Sequence, residues 1–237
     1  MKRPGAGAML LPACLLTLAS LTACSGLDMN SESTDPRPVD SPAETLDPAE
    51  GPGTVDTGKG GSDVVDPGWD TAAQEAEGVF LSLHETDSGL EFRAVDSTGT
   101  ILWTAMRPRV CSGFLINESE AGSVAVLMDQ QSAGNDKLKT TASGFELASG
   151  DKLWGPVEVP GPLLGSGLVF AGPPADFIGA GGPRTALDPA NGAELAVEDG
   201  DSPRILALLD GHLVLADGEE LIGEDLEDRK STRLNSS

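Results

Sequence analysis

Few side chains in this sequence are placed to do chemistry. Of the three cysteines, Cys14, Cys24 and Cys111, only Cys24 stands in a context that suggests a reaction: it closes the run Leu21-Thr22-Ala23-Cys24 behind an apolar stretch. A thiolate is a strong nucleophile, so a thiol held at such a place is a natural acceptor of an alkyl group. Cys111, beside Val110 and Phe114, reads instead as a small buried apolar residue. His84 and His212 are far apart, and no His/Cys group has metal-ligand spacing. The acidic runs EDGD (198–201) and DGEELIGEDLE (217–227) lack the regular ligand alternation of a calcium loop and read as solvated surface. GAGGPRTALD (179–188) carries glycines without a phosphate-loop Lys-Ser/Thr, and no Gly-x-Ser-x-Gly elbow is present. The expectation is therefore a chain without a catalytic residue and without a metal site.

The N-terminus has the build of an export signal. Lys2 and Arg3 form a positive start, and residues 8–23 are almost wholly apolar or small. The sequence LTAC (21–24) resembles the lipobox of bacterial prolipoproteins. That resemblance implies that residues 1–23 are a lipoprotein signal peptide and that Cys24 is thioether-linked to diacylglycerol and becomes the new N-terminus. Leu21, Thr22 and Ala23 would then be the lipobox residues, membrane lipid the partner, and the outer face of the cell membrane the location. A membrane-spanning anchor is the alternative, since the stretch approaches the length needed to cross a bilayer. Pro12 and the placement of Cys24 argue against it. Acyl chains contribute about 0.8 kcal/mol per buried methylene, so two or three hold a protein firmly.

These elements are followed by a region poor in core residues. Residues 24–77 are dense in Pro, Gly, Ser, Thr, Asp and Glu and are expected to form a disordered acidic tether. At that length its span is roughly 40 Å. Within it, TAAQEAE (71–77) after Asp70 is expected to form at most one helical turn. At the other end, DRKSTRLNSS (228–237) resembles the in-frame translation of a short-read sequencing adapter. It is expected to be a non-native tail, with the natural chain continuing beyond Glu227. Over the whole sequence 15 Lys and Arg face 38 Asp and Glu, a net charge of −23. Such acidity argues against nucleic acid and anionic lipid surfaces as partners, because both recruit basic patches.

From residue 78 the pattern changes to short apolar runs broken by Gly, Asp and Asn. In LEFRAV (90–95), Leu90, Phe92 and Ala94 share one face while Glu91 and Arg93 share the other, the period of a half-buried strand. RILALLDGHLVLADG (204–218) sets Asp210-Gly211 between two apolar runs, a strong hairpin signal. No stretch holds a helical period for three turns, so the fold class is all-β.

One phrase recurs: AVDSTGTILW (94–103), ELASGDKLWG (146–155) and TALDPANGAELA (185–196). Each reads as strand, polar turn ending in Gly, strand. Gly99, Gly150 and Gly192 hold the same place, at intervals of about 50 and about 40 residues, in the range of repeat arrays. Asp96 and Asp188 open two of the turns, while Leu147 departs from the pattern. The phrase A-x-D-x-x-x-G-x-x-x-W resembles the repeat of PQQ-like β-propellers, the group of quinoprotein dehydrogenases and BamB-type assembly lipoproteins. The resemblance covers residues 78–227 and implies a partial, open β-propeller of three to four four-stranded antiparallel blades. It further implies that Trp103 and Trp154 dock against a neighbouring blade, whereas Ala196 breaks the motif at the third repeat. No cofactor is expected: the sequence has no Cys-Cys pair and no Tyr, and pyrroloquinoline quinone with Ca²⁺ enters only if the protein is a quinoprotein oxidoreductase whose catalytic blades lie elsewhere. The leading expectation is a non-catalytic, membrane-anchored scaffold that binds a protein, peptide or glycan. A BamB-like role in envelope assembly is a further alternative.

Overall fold

The computed structural model describes residues 33–45, 65–119, 122–132, 138–174, 182–209 and 211–226. The signal residues 1–23, Cys24 and the tail 228–237 lie outside them, as do residues 46–64 of the acidic stretch.

Among the described residues four antiparallel sheets of three to five strands follow one another along the chain, with a further two-stranded pair near the N-terminus. The N-terminal stretch supplies β1 (Arg37–Pro42), β2 (Glu44–Thr45), β3 (Val65–Asp66) and β4 (Gln74–Ala76). With β5 (Val79–Thr86), β6 (Gly89–Asp96) and β7 (Thr100–Arg107), they build the first sheet in the order β1-β7-β6-β5-β4, while β2 and β3 pair with each other. The second sheet, ordered β11-β10-β9-β8, consists of β8 (Phe114–Ser119), β9 (Gly122–Ser132), β10 (Leu138–Glu146) and β11 (Lys152–Glu158). The third holds β12 (Val169–Ala171), β13 (Arg184–Leu187) and β14 (Glu194–Val197), with Leu163 bridging to Phe170 as a rudimentary further strand. The fourth holds β15 (Arg204–Leu209), β16 (His212–Asp217) and β17 (Glu220–Asp225). The array is all-β, with no helical element among the described residues, and does not close on itself.

Side-chain alternation explains how the sheets stack. On β6, Leu90, Phe92 and Ala94 are buried, while Glu91 and Arg93 on the opposite face are only half-buried. Strand β9 is buried on both faces. Its Ala125 and Leu127 pack with Leu81, Phe92 and Trp103 of the first sheet, and its Val124, Val126 and Met128 pack with Leu168, Phe170 and Ile205 of the third and fourth. A strand buried on both sides reads as a continuous apolar run, as SVAVLM does. Phe92 and Phe114 meet edge to face at 5.6 Å and 74°, a favoured geometry for two rings. Burying each such large side chain contributes roughly 1.5–3 kcal/mol.

Two expectations are corrected here. The described parts of the 24–77 stretch are not a featureless tether: β1 pairs along β7, and β4 pairs along β5. An open sheet edge presents unpaired N–H and C=O groups, which an extended segment of any composition can satisfy. For the same reason TAAQEAE holds strand β4 and no helical turn, since a single turn cannot offset its nucleation cost. Asp70 does cap, but across the sheet: the Glu85 amide donates to its carboxylate at 2.6 Å, which lowers its pKa.

Candidate functional site

Gly99, Gly150 and Gly192 occupy matching turns, between β6 and β7, β10 and β11, and β13 and β14. Their φ angles are +85°, +76° and +71°, a left-handed conformation that glycine adopts without strain. Close approach excludes side chains as well. A Cβ on Gly150 would lie 2.9 Å from Trp103 Cγ, and one on Gly192 would lie 2.6 Å from Trp154 Cε3. Each indole thus crosses from its own sheet to the turn of the next. The Trp103 Nε1–H donates to the Leu147 carbonyl at 2.7 Å, and the Trp154 Nε1–H donates to the Pro189 carbonyl at 2.7 Å. Leu147 and Pro189 stand three residues before their respective glycines, so the two contacts are the same contact repeated. Small cross-strand partners, Ala94 for Trp103 and Gly144 for Trp154, leave room for the ring to lie against its own sheet. Ala196 offers no indole at the third repeat.

Sequence reasoning missed the acidic opener of the second turn. Glu146, not Leu147, matches Asp96 and Asp188: the Gly150 amide donates to the Glu146 carbonyl as the Gly192 amide does to that of Asp188, both at 2.8 Å. The first turn is one residue shorter, with the Gly99 amide donating to Asp96, and counting back by that shorter spacing from Gly150 falls on Leu147 in place of Glu146. The Asp96 carboxylate accepts from the Thr98 hydroxyl and from the amides of Thr98 and Thr100; the hydroxyl bond is the main cause of its lowered pKa. Gln74 was also missed. Its amide donates to the Phe114 carbonyl at 3.2 Å and accepts from the Ile116 amide at 2.8 Å, tying β4 to β8 of the next sheet.

At the opposite end from the indole turns lies a pocket of about 340 Å³, lined among others by Val110, Cys111, Met128, Gln130, Thr140 and Leu163. Its position follows from the chain path: the links from β7 to β8 and from β11 toward β12 both come to this end, and β9 and β10 pass it with Met128, Gln130 and Thr140. Val110 is 71% exposed at its rim. Cys111 is buried, and that burial pushes its thiol up to about 11, so the sulfur is protonated and unreactive at neutral pH. Nearby, Arg107 is buried on the last residue of β7. It donates from Nη1 to the carbonyls of Thr34 and Met106 at 2.6 and 2.7 Å, and its Nε lies 3.9 Å from Asp129 Oδ2. Burial lowers its pKa, and Asp129 opposes the shift. These groups suit binding of an amphipathic ligand and offer no activated nucleophile. His84 and His212 lie on different sheets, β5 and β16. Among the described residues no group of three or more His, Cys, Asp or Glu is gathered to hold a metal ion, and no helix is long and apolar enough to cross a membrane.

Comparison with protein-family models, with curated proteins and with solved structures gives no match.

Proposed function

We propose that this chain is a membrane-anchored extracytoplasmic lipoprotein, acylated at Cys24, whose stacked sheets are a partial PQQ-like propeller of three to four blades. In this reading it is a non-catalytic scaffold that binds a protein, peptide or glycan at the pocket end. The observation that carries the architectural half is the repeated indole: Trp103 on the Leu147–Gly150 turn and Trp154 on the Pro189–Gly192 turn, with the same donor, acceptor and spacing. Such a repeat suits a rigid frame that leaves the loops of one end free to vary, the usual arrangement in recognition proteins. Support for binding over catalysis comes from the pocket, where the buried thiol is held protonated and Val110, Met128 and Leu163 stand beside Gln130 and Thr140, a mixed lining without an activated nucleophile. Support for the anchor comes from LTAC at 21–24.

Acylation is tested by expressing the full chain in a bacterium fed a labelled fatty acid, beside Cys24→Ala. Label and membrane recovery in the parent, both lost in the variant, support the anchor. Unlabelled protein of unchanged distribution in both overturns it. Binding is tested on the soluble variant with arrays of cell-wall glycans and extracellular peptides. Binding that Val110→Asp abolishes supports the pocket end as the recognition surface, and binding indifferent to that change overturns it.

A further inference from the structure

Val65 stands at Gly99 where an indole stands at Gly150 and at Gly192. A Cβ on Gly99 would lie 2.7 Å from Val65 Cγ1, and no tryptophan is among the nearest atoms there. Two further features set this first turn and sheet apart. The turn is one residue shorter, so that the Gly99 amide bonds back to Asp96, and the Gly99 carbonyl accepts from the Ala43 amide at 2.7 Å, a partner from the N-terminal stretch. The face of the first sheet turned away from the second is mixed, carrying Ser82, His84, Glu91 and Arg93 beside Phe80, Val95 and Met106, where β9 of the second sheet is apolar on both faces.

Residues 67–71 of the segment 65–72 are bonded across that face and to the edge of β5, while Val65 and Asp66 pair with β2. Arg93 donates to the Pro67 carbonyl at 2.8 Å, and the fully buried Ser82 donates from Oγ to the Thr71 carbonyl at 3.0 Å. The Asp70 amide donates to the Leu83 carbonyl at 3.0 Å, and its carboxylate lies 2.9 Å from His84 Nδ1. Gly68, at φ +72°, passes so close to Arg93 that a Cβ there would lie 2.7 Å from Nη1. In stacked-repeat proteins the terminal repeat departs from the rest, and its outer face is polar and covered.

We infer that residues 65–72 are a built-in N-terminal cap. The outer face of the first sheet is an interaction surface whose partner is the chain itself, with Val65 filling the place a preceding sheet's tryptophan would take. The stack therefore begins at this sheet, and no further sheet docks on this face while the cap is seated. This goes beyond the scaffold reading and depends neither on the lipid nor on a ligand.

Hydrogen exchange of the full chain in detergent, read by peptide mass, tests the cap with Val65→Ala and Gly68→Ala. In the parent, segment 65–72 and turn 96–100 are both expected to be protected. Val65→Ala removes two methyl groups from the contact and is expected to speed exchange of both segments roughly five- to thirtyfold, with turn 188–193 unchanged. Gly68→Ala, which loosens the segment from Arg93, is expected to give the same two-segment pattern. Free exchange of 65–72 in the parent overturns the inference. So does protection of 96–100 that neither variant alters, which would mean another element covers Gly99, or acceleration spread evenly over all sheets.

Discussion

The indole of Trp103 donates to the carbonyl of Leu147 at 2.7 Å across the gap between two sheets, and the pair Trp154 and Pro189 repeats it one sheet further on. Two kinds of interaction coincide in that contact. The ring fills apolar space between the sheets, and the N–H satisfies a buried carbonyl that the turn leaves without a backbone partner. A phenylalanine serves the first and fails the second.

Trp154→Phe is accordingly expected to cost about 1–3 kcal/mol, the range for leaving a buried acceptor unsatisfied. Trp154→Ala is expected to cost about 3–5 kcal/mol, because a cavity is added. Urea denaturation followed by circular dichroism checks the order: a Trp154→Phe variant as stable as the parent would place the whole effect in packing, and equal losses in the two variants would place it in the hydrogen bond.

The glycines differ in what surrounds them. Gly150 has both a left-handed φ of +76° and Trp103 against it, while Gly218, at φ +59°, faces open space. Gly150→Ala is expected to lose about 2–4 kcal/mol from backbone strain and overpacking together, and Gly218→Ala about 1–2 kcal/mol from strain alone. Denaturation midpoints of the two variants, compared at one pH, decide it.

Gln74 closes a joint that strand pairing leaves open, since its amide bonds the backbone of Phe114 and Ile116 in both directions. Removing it as Gln74→Ala is expected to cost about 1–3 kcal/mol and to raise hydrogen exchange at Ile116 ahead of strands β9 and β10.

Cys111 gives a pH dependence with a defined sign. Its thiol titrates at about 11 in the folded protein against 9.0 for an unperturbed group, so the folded state holds the proton more tightly than the unfolded chain. The stabilising contribution is complete below pH 9 and is lost as pH rises toward 11. Stability of the parent should therefore fall more steeply over that window than stability of Cys111→Ala. Iodoacetamide should label the folded parent slowly at pH 8 and rapidly after unfolding.

Much of this fold is written in local pattern. LEFRAV alternates because one face of β6 meets the second sheet and the other does not, and the recurring glycine marks a backbone conformation that other residues resist. The turn openers were half legible: Asp96 and Asp188 stood out, while Glu146 was masked by the extra residue in its turn. The N-terminal stretch was not legible, because its order comes from its partners. Residues 37–42 are largely exposed and poor in apolar side chains; they become a strand because β7 presents an unpaired edge. The pocket escaped detection for a related reason, as Cys111, Met128 and Leu163 come together only through stacking of the sheets.

The most direct measurement is the exchange of the three indole N–H protons in the ¹⁵N-tryptophan spectrum of the folded chain. Trp103 and Trp154 are hydrogen-bonded across sheets, whereas Trp69 Nε1 is buried without an acceptor. The Trp103 and Trp154 indole signals are therefore expected to exchange at least about a hundredfold more slowly than a solvent-exposed indole, with Trp103→Phe and Trp154→Phe each deleting one slow signal. Three signals exchanging at the same fast rate would contradict sheets coupled through these tryptophans.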